Sequence, residues 1–324
     1  MSMTNTAVPV VSVVVATYNR SARLRTLLHA LANQTLVGRA AFEVVVVDDH
    51  STDATPETVA ALKAQLPIPV MYVRQDRNGG PARARNEGVR RAQAAIVAFT
   101  DDDCVPRPPW LEELVTGCQE DGAVGAEGPI VTDAHRGTAL THHISNETPG
   151  ALFTANVAYR RDALFHAGLF DECFPFPHNE DVDLGLRMSR FGQIVFRPAA
   201  VVYHPLVPVP LLANAKRTRY SLSNIRLFLK HPERMPHTPL PHLLWARTVV
   251  DLLVSICKDQ MGRTPLLARD PVGYAAQFLY NLLRLCHTLY LIPRYRKEEM
   301  TQRRLLGLYP RPGSGGAIHD GASR

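Results

Sequence analysis

The sequence predicts an α/β fold in which a sheet of mainly parallel strands is flanked by helices. Two observations support this prediction. Short apolar runs rich in Val alternate with helical patterns, and such runs are typical of strands buried on both faces. Each run then ends in polar residues. The 324 residues, 46% hydrophobic and 20% charged, have the composition of a globular protein with a sizeable core.

The first hundred residues contain four predicted strands, each but the last followed by a predicted helix. Strands are predicted at 8–16, 42–47, 70–74 and 96–99, and helices at 23–32, 55–65 and 82–95. The first helix repeats Leu at helical spacing, and Ser21 is its predicted N-cap. Strand–helix alternation implies right-handed crossovers, and ligands of such sheets bind beyond the carboxyl ends of the strands.

The polar residues at those strand ends form three clusters. Thr17 and Tyr18 follow the first strand, Asp48 and Asp49 the second, and Asp101 to Asp103 the fourth. An ordinary turn or cap explains each cluster alone. Three clusters that converge on one edge of a sheet indicate a ligand site.

The run Asp101-Asp102-Asp103 carries the strongest chemical signal. Three adjacent carboxylates repel one another, so they need a cation or many hydrogen-bond donors. Mg²⁺ and Mn²⁺ prefer carboxylate oxygens. In an extended segment Asp101 and Asp103 would point to the same side and could share one ion. A solvated acidic turn before Pro106 is the ordinary alternative.

Further elements are predicted beyond residue 106. We expect a helix at 109–120, a strand within 122–132, a polar loop at 133–149 with His135, His142 and His143, a strand at 153–160, a helical turn at 161–167, a helix at 182–191 closed by Gly192, and a strand and turn at 194–204. Glu180 and Asp181 then lie at a helix start. Carboxylates there either complement the helix dipole or accept a proton from a substrate.

Cysteine usage and apolar runs predict the compartment. The five Cys residues are scattered without metal-binding spacing, which favours a reducing environment over a disulfide framework. Neither a signal peptide nor an apolar run of about 18 residues is visible in the sequence. These features predict a cytoplasmic protein.

The charge is distributed unevenly along the chain. Residues 205–324 have a net charge of +11 and residues 1–204 a net charge of −5. A basic end suggests an anionic partner. The predicted organisation is therefore a main domain at 1–212, a basic helical region at 213–310 and a disordered tail at 311–324.

The basic region contains three helical patterns, separated by prolines between 232 and 241. Segment 213–230 interleaves cations with apolar residues like a basic amphipathic helix, and helices are predicted at 243–261 and 272–292. Residues 213–304 could bind an anionic membrane surface, or pack on the main domain as a helical subdomain. We expect membrane association for the basic clusters and packing for the helices at 243–292. A peripheral position on the inner face of the membrane follows from the first expectation.

At the level of motifs, the chain resembles family 2 glycosyltransferases, which are inverting, nucleotide-sugar-dependent enzymes with the GT-A fold. Six segments occur in the order of the family: VVSVVVATYNR (10–20), VVVVDDHSTDAT (44–55), NGGPARARNEGVRRA (78–92), FTDDDCVP (99–106), GLFDECF (168–174) and NEDVDLGLRMSRFG (179–192). The resemblance covers residues 8 to about 205. It implies a GT-A domain, a Rossmann-like nucleotide-binding mixed sheet flanked by helices, with a C-terminal helical extension.

The resemblance also implies roles for single residues. Asp181 would be the catalytic base with Glu180 beside it. The donor-binding residues would be Thr17, Tyr18, Arg20, Asp49, Arg85 and Asp102. The residues of the Mn²⁺ or Mg²⁺ site would be Asp101, Asp103 and His204, although His204 could equally be a structural turn residue. Asn156 and Asp171 would shape the acceptor pocket.

The implied reaction is metal-assisted sugar transfer from a nucleotide sugar, with a UDP-sugar as the expected donor, to a hydroxyl of a glycan or lipid-linked acceptor. Surface polysaccharide or glycolipid synthesis is the expected context, and no nucleic-acid partner is expected. A sugar nucleotidyltransferase would need a Gly-rich phosphate loop after the first strand, where this chain has ATYNR. Two further rivals are a retaining glycoside hydrolase and a non-catalytic membrane- or nucleic-acid-binding module.

Overall fold

The computed structural model describes residues 8–133, 138, 140–234, 244–262 and 271–308. The predicted tail at 311–324, His135 and the proline-containing segment 235–243 lie outside these ranges. The strands are β1 (Val11–Thr17), β2 (Phe42–Asp48), β3 (Val70–Arg74), β4 (Ile96–Phe99), β5 (Val105–Pro106), β6 (Ala123–Glu127), β7 (Ile130–Val131), β8 (Thr141–His142), β9 (Val157–Arg160), β10 (Gln193–Phe196), β11 (Val202–Tyr203) and β12 (Val207–Pro208).

The helices lie between and after these strands. They are α1 (Ser21–Ala32), α2 (Thr55–Gln65), α3 (Pro81–Arg91), α4 (Trp110–Cys118), α5 (Arg161–His166), α6 (Glu180–Met188), α7 (Leu211–Ala215), α8 (Leu222–Lys230), α9 (Leu244–Gly262) and α10 (Pro271–Leu305). A 3₁₀ turn, Lys216–Ser221, joins α7 to α8. No helix within the described ranges is both long and apolar enough to cross a membrane.

The main sheet has seven strands in the order β10-β6-β9-β4-β1-β2-β3. Strand β9 runs antiparallel to its neighbours β4 and β6, and the other pairs are parallel. A mixed sheet with flanking helices, as the resemblance implies, is therefore confirmed. The carboxyl ends of β1, β2 and β4 meet at one edge, which brings the three polar clusters together.

Apolar side chains cover both faces of this sheet. On β1, Val13 and Val15 belong to a cluster with α1, α2 and α4, while Val14 belongs to a second cluster with α3, α5 and α6. Successive strand side chains point to opposite faces, which produces this alternation. Helix α3 lies so close to β1 that a Cβ on Gly88 would be 2.3 Å from Val14 Cγ1.

Several predicted boundaries need correction. Ser21 is the first residue of α1 rather than its N-cap, and Arg20 precedes the helix without a side-chain cap. Helix α3 ends at Arg91, four residues early, because Ala92 leaves the helical conformation. Helix α10 continues past Pro293 to Leu305, well beyond the predicted end at 292.

The C-terminal helices pack on the sheet region (residues 8–208) through an apolar cluster. Leu222 and Ile225 of α8 are buried together with Val249 of α9 and with Leu291 and Tyr295 of α10. The sheet region contributes Phe176, which packs against this cluster. Packing, as expected for the helices at 243–292, is therefore observed for part of their surface.

The basic segment 213–230 differs from the prediction of a single amphipathic helix. It consists of α7, the 3₁₀ turn and α8, and two of its cations point inward. Lys230 Nζ lies 2.8 Å from Asp171 Oδ2 and 2.7 Å from Asp183 Oδ1. Arg226 lies 2.7 Å from the same Asp171 oxygen. The membrane-facing orientation expected for Arg226 and Lys230 is wrong, because two carboxylates of the sheet region, the half-buried Asp171 and the buried Asp183, pair with them.

Candidate active site

A cleft of about 990 Å³ opens at the carboxyl ends of β1, β2 and β4. Its walls come from the sheet region on one side and from the C-terminal helices on the other. Most of the predicted site residues line it, namely Thr17, Tyr18, Arg20, Asp49, Arg85, Asp101, Asp102, Asp103, Glu180, Asp181 and His204. The structure thus brings together residues that are far apart in the sequence.

Arginines compensate the charge of the Asp run. Arg20 Nη1 lies 2.8 Å from Asp102 Oδ1 and 2.7 Å from Asp103 Oδ2, and Thr17 Oγ1 donates to Asp102 Oδ2 over 2.7 Å. Burial raises the pKa of Asp102 to about 6, although Arg20 opposes the shift. Repulsion within the run therefore does not by itself require a metal ion, because guanidinium groups already supply positive charge.

Asp103 and His204 are the pair that fits a divalent cation. Asp103 Oδ1 lies 3.6 Å from His204 Nε2, and both side chains are buried. With its proton on Nδ1, His204 donates to the carbonyl of Pro205 over 2.9 Å and turns the Nε2 lone pair toward Asp103. Asp101 lies beside them but is engaged by Arg85.

The described residues contain no group of three or more His, Cys, Asp or Glu side chains arranged to hold a metal ion alone. Mg²⁺ and similar ions in nucleotide sites usually take one or two protein ligands and complete their shell with substrate phosphates and water. One carboxylate and one imidazole could therefore contribute to such a site, in which phosphate oxygens of a ligand would complete the shell of the ion.

The two aspartates after β2 have different environments. Asp49 accepts hydrogen bonds from the backbone N–H groups of Gly79 and Gly80, over 2.7 and 2.8 Å, and it lines the cleft. Asp48 is fully buried and accepts from Tyr72 OH and from the Ser51 backbone. Asp48 therefore stabilises the end of β2 through buried hydrogen bonds, and Asp49 faces the cleft.

Arg85 connects the Asp run to the start of α6. Its side chain is buried, with Nη2 2.9 Å from Asp101 Oδ1 and Nη1 2.9 Å from Glu180 Oε1. A guanidinium that bridges two carboxylates in a planar fork fixes both orientations. This contact holds together two acidic motifs that lie about 80 positions apart in the sequence.

Glu180 and Asp181 form an acidic pair at the first turn of α6. Burial raises the pKa of Glu180 to about 7 and the nearby Asp181 adds to the rise, while Arg85 opposes it. Burial also raises the pKa of Asp181, against the effect of Arg85. Among the described residues, Glu180 Oε2 has no hydrogen-bond partner. Acidic groups with raised pKa values in a cleft are typical of proton-transfer sites.

The backbone around residues 150–154 positions Asp181. Thr154 N–H donates to Asp181 Oδ2 over 3.3 Å, and Leu152 N–H donates to Glu127 Oε2 over 2.9 Å. Helix α6 approaches this loop closely, since a Cβ on Gly185 would lie 2.6 Å from Leu152 Cβ. The second oxygen of Asp181 accepts from the N–H of Val182 over 2.8 Å.

Two residues predicted for the acceptor pocket lie elsewhere. Asn156 is buried, and its side-chain amide bonds Trp110 Nε1, the Pro129 carbonyl and the Ala200 carbonyl. Asp171 faces Arg226 and Lys230 in a separate pocket of about 470 Å³. Neither side chain is among the residues that line the large cleft, and both contact other residues of the chain.

Sequence reasoning missed the cationic wall of the cleft. Arg217 and Arg219 of the 3₁₀ turn and Arg284 of α10 line it together with Tyr220 and Tyr280. The sequence pattern places them in membrane-facing or packing helices instead. The alternation of Arg with aromatic residues was a usable signal, because guanidinium groups stack on aromatic rings.

Arg217 is the best-defined residue of this wall. Its guanidinium carbon lies 5.0 Å from the centre of the Tyr220 ring, and Nη2 lies 2.9 Å from His142 Nε2. Burial lowers the pKa of Arg217. Burial and the cation of Arg217 lower the pKa of His142 to about 3, so the imidazole stays neutral and accepts the hydrogen bond.

Comparisons with known proteins agree with this geometry. The family model for Glycosyl transferase family 2 matches residues 12–170. The putative glycosyltransferase EpsH of Bacillus subtilis is 34% identical over 236 residues, which are 68% of this chain and 67% of that protein. Across several curated relatives, the chain spans from 23% to 76% of their length.

Two solved structures share the fold. The mannosyltransferase PcManGT from Pyrobaculum calidifontis, in complex with GDP-Man and Mn²⁺, superposes with a TM-score of 0.54 at 22% identity, over 94% of this chain and 89% of that one. S. aureus TarS 1-349, in complex with UDP, gives a TM-score of 0.52 at 19% identity, over 93% of each chain. This chain belongs to the family 2 glycosyltransferases and has the GT-A fold.

Proposed function

We propose that this glycosyltransferase moves a sugar from a nucleotide-sugar donor to an acceptor hydroxyl by a single, inverting, metal-assisted displacement. One observation supports this proposal above the others. The Asp run and the acidic pair of α6 line the same cleft and are joined through Arg85. The groups that would bind a cation and accept a proton in this proposal therefore line one cleft of about 990 Å³.

In the proposed step the acceptor oxygen attacks the anomeric carbon of the donor. The bond from that carbon to the diphosphate oxygen breaks, and the nucleoside diphosphate leaves with the electron pair. The hydroxyl proton passes to Asp181, the general base. Attack on the side opposite the leaving group inverts the anomeric centre.

Asp181 and Glu180 have different roles in this proposal. Asp181 is half-buried and both its oxygens are oriented by backbone N–H groups. Glu180 is deeply buried and one oxygen is fixed by Arg85. We assign proton abstraction to Asp181 and the positioning of Arg85 to Glu180, although the raised pKa of Glu180 makes it the alternative base.

The leaving diphosphate gains negative charge during the step. Asp103 and His204 would hold a Mn²⁺ or Mg²⁺ ion, which supplies charge stabilisation when bound. Arg217 and Arg219 line the opposite wall, where they would attract anionic groups of the donor or of the acceptor. Thr17, Tyr18, Asp49 and Asp102 remain the proposed contacts of the nucleoside.

The candidate donors follow from the shared fold. GDP-Man and UDP occur with the two structures of the same fold, so both nucleotides are candidates, with a UDP-sugar tested first. We propose a glycan or a lipid-linked glycan as the acceptor class.

Thermal unfolding with a panel of nucleotides, each with and without Mn²⁺, tests the donor site. Binding to the native state raises the midpoint by mass action. We expect a shift for one nucleotide class in the wild type and in Asp181→Asn, and its loss in Asp103→Ala. Sugar transfer with that donor should fall by about 10²–10⁴-fold in Asp181→Asn. A larger loss in Glu180→Gln than in Asp181→Asn would assign the base to Glu180 instead.

A further inference from the structure

Helix α10 buries polar side chains and exposes apolar ones along its first half. Gln277, Asn281 and Thr288 are at most 5% exposed, whereas Leu282 and Leu289 are 44% and 50% exposed. Exposed helix faces of globular proteins are normally polar. This inverted distribution indicates that something apolar covers the exposed side of the helix.

The exposed side forms one continuous strip, which we call the outer face of α10. Its members are exposed residues of this helix: Val272, Phe278, Leu279, Leu282, Leu289, Tyr290, Arg296, Lys297, Met300 and Arg304. Leu282, Leu289 and Arg296 are seven residues apart, which places them on one side of a helix. The strip is apolar toward the start of α10 and basic toward its end.

The charge of the outer face has a single sign. The exposed residues of α10, a helix described along its whole length, include Arg294, Arg296, Lys297 and Arg304 and no acidic residue. The two glutamates of the helix are turned away from this side. Glu299 is 3% exposed and pairs with Arg303, and Glu298 accepts a hydrogen bond from Gln302.

These two properties limit which partner could fit the outer face. A helix with an apolar strip and flanking cations, and no companion acids, fits the boundary layer of an anionic bilayer, where apolar side chains enter the acyl region and cations meet phosphates. A second copy of the chain, docked by twofold symmetry, would place these cations either against the same cations or against the apolar part of the strip, and in neither arrangement against an acidic residue of the outer face. Charge complementarity therefore favours lipid over self-association.

We propose that the outer face of α10 binds the surface of an anionic lipid bilayer. Leu282, Leu289 and their apolar neighbours enter the interfacial layer, and Arg296, Lys297 and Arg304 contact headgroup phosphates. The same helix lines the cleft with Tyr280 and Arg284. Attachment through the outer face therefore holds the cleft next to the bilayer surface.

Vesicle sedimentation with the full chain tests the proposal. The probes are vesicles of phosphatidylglycerol mixed with phosphatidylcholine, and vesicles of phosphatidylcholine alone. We expect the wild type to sediment with the anionic vesicles and much less with the neutral ones. The double variant Leu282→Glu/Leu289→Glu should bind about tenfold or more weakly, because it removes apolar insertion and adds repulsion. Arg296→Glu/Lys297→Glu should also weaken binding, with a smaller salt dependence.

Matched controls exist on the sheet region. Phe191 is 54% exposed and Lys63 is exposed on α2, so Phe191→Glu and Lys63→Glu should leave vesicle binding unchanged. Thermal unfolding midpoints of the variants should stay close to that of the wild type, because the substituted side chains are exposed. Arg296→Glu also removes the stacking of that guanidinium on the Trp245 ring, 5.5 Å from its centre. Vesicle binding needs no sugar transfer, so its outcome is independent of the proposed reaction.

Three results overturn the proposal. One is wild-type protein that stays in the supernatant with anionic vesicles. Another is equal sedimentation of the wild type and the Leu282→Glu/Leu289→Glu variant. The third is a dimer, seen by light scattering, that this variant converts to monomer without changing vesicle binding, since a second copy would then cover the face.

Discussion

Two parts of the C-terminal region, the basic segment from α7 to His231 and helix α10, differ in which kind of side chain they bury. The segment from α7 to His231 is rich in cations, yet Arg226 is buried and Lys230 half-buried against carboxylates, and Arg217 faces the cleft. Helix α10 is rich in Leu, yet much of its apolar surface is exposed. The sequence suggested the reverse, with the basic segment on a membrane and the helices packed inside. Which side chains become buried depends on partners supplied by distant parts of the chain.

The largest expected effect comes from the carboxylate that draws the basic segment inward. Asp183 is fully buried and pairs with Arg187, Lys230 and His231. We expect Asp183→Ala to lower the free energy of unfolding by about 3–5 kcal/mol, because it removes the carboxylate that pairs with Arg187 and that Lys230 and His231 also contact. Urea denaturation measures this loss.

Asp251 offers the matched control, since it is 48% exposed and pairs with Arg247 within α9. Asp251→Ala should cost less than about 0.5 kcal/mol. Equal costs for the two variants would mean that the basic segment is not attached through Asp183.

The next prediction compares the cost of truncating an apolar side chain in each of the two parts of the C-terminal region. Ile225 of α8 is fully buried, whereas Leu282 of α10 is 44% exposed. We expect Ile225→Ala to cost about 2–5 kcal/mol in the absence of lipid and Leu282→Ala to stay within about 0.5 kcal/mol. The same denaturation curves provide both values. A comparable cost at both sites would show that the outer face is covered within the chain itself.

A kinetic prediction concerns the cation that faces the cleft. If Arg217 contacts an anionic group of a substrate, Arg217→Gln should lower kcat/KM by about tenfold to hundredfold, the value of a lost charge-assisted hydrogen bond. Arg296→Gln on the outer face should leave kcat/KM for a water-soluble acceptor unchanged. Unchanged kcat/KM in Arg217→Gln would mean that Arg217 contacts no substrate and has only a structural role, through its contact with His142.

The smallest effect is a pH dependence that distinguishes two buried carboxylates of α6. Burial raises the pKa of Glu180 from 4.5 to about 7. Burial acts in the same direction on Asp183, but Arg187 and Lys230 outweigh it, so the pKa of Asp183 is lowered. Between about pH 4.5 and 7 the folded protein keeps a proton on Glu180 that the unfolded chain has lost.

The contribution of Glu180 to stability is therefore full below pH 4.5 and is lost as the pH rises toward 7. Its slope is at most about 1.4 kcal/mol per pH unit. We expect Glu180→Gln to flatten the fall in stability over this range, as measured by denaturation at several pH values. An unchanged slope would place the titrating group elsewhere.

The sequence was informative where local pattern and chemistry agree. Apolar Val-rich runs predicted the central strands, and helix α2 and strands β3 and β4 have the predicted bounds. The polar residues at strand ends meet in one cleft as expected, because parallel strands bring their carboxyl ends to the same edge. Membership of the glycosyltransferase family also argues against a nucleotidyltransferase, a glycoside hydrolase or a non-catalytic binding module.

The rest depended on contacts that no local pattern encodes. Asn156 follows the pattern of a site residue, yet Trp110 and two carbonyl groups from distant loops use its amide. The motif around Asp171 suggested an acceptor pocket. Its actual partners are two cations of α8, which lie 55 and 59 positions away in the sequence, and no local pattern predicts those contacts. The predicted position of Arg217 was wrong for a similar reason, because its hydrogen-bond partner His142 lies 75 positions earlier in the sequence.

The pairing of Lys230 with both Asp171 and Asp183 also limits how this enzyme can be recombined. A chimaera that joined the first 212 residues to the C-terminal helices of another protein would keep the wall of the cleft that the sheet region supplies. It would also leave the buried Asp183 without Lys230 and His231, next to the acidic pair at the start of α6. The unit that can be exchanged between relatives therefore extends to residue 231, beyond the boundary that the change in composition suggests.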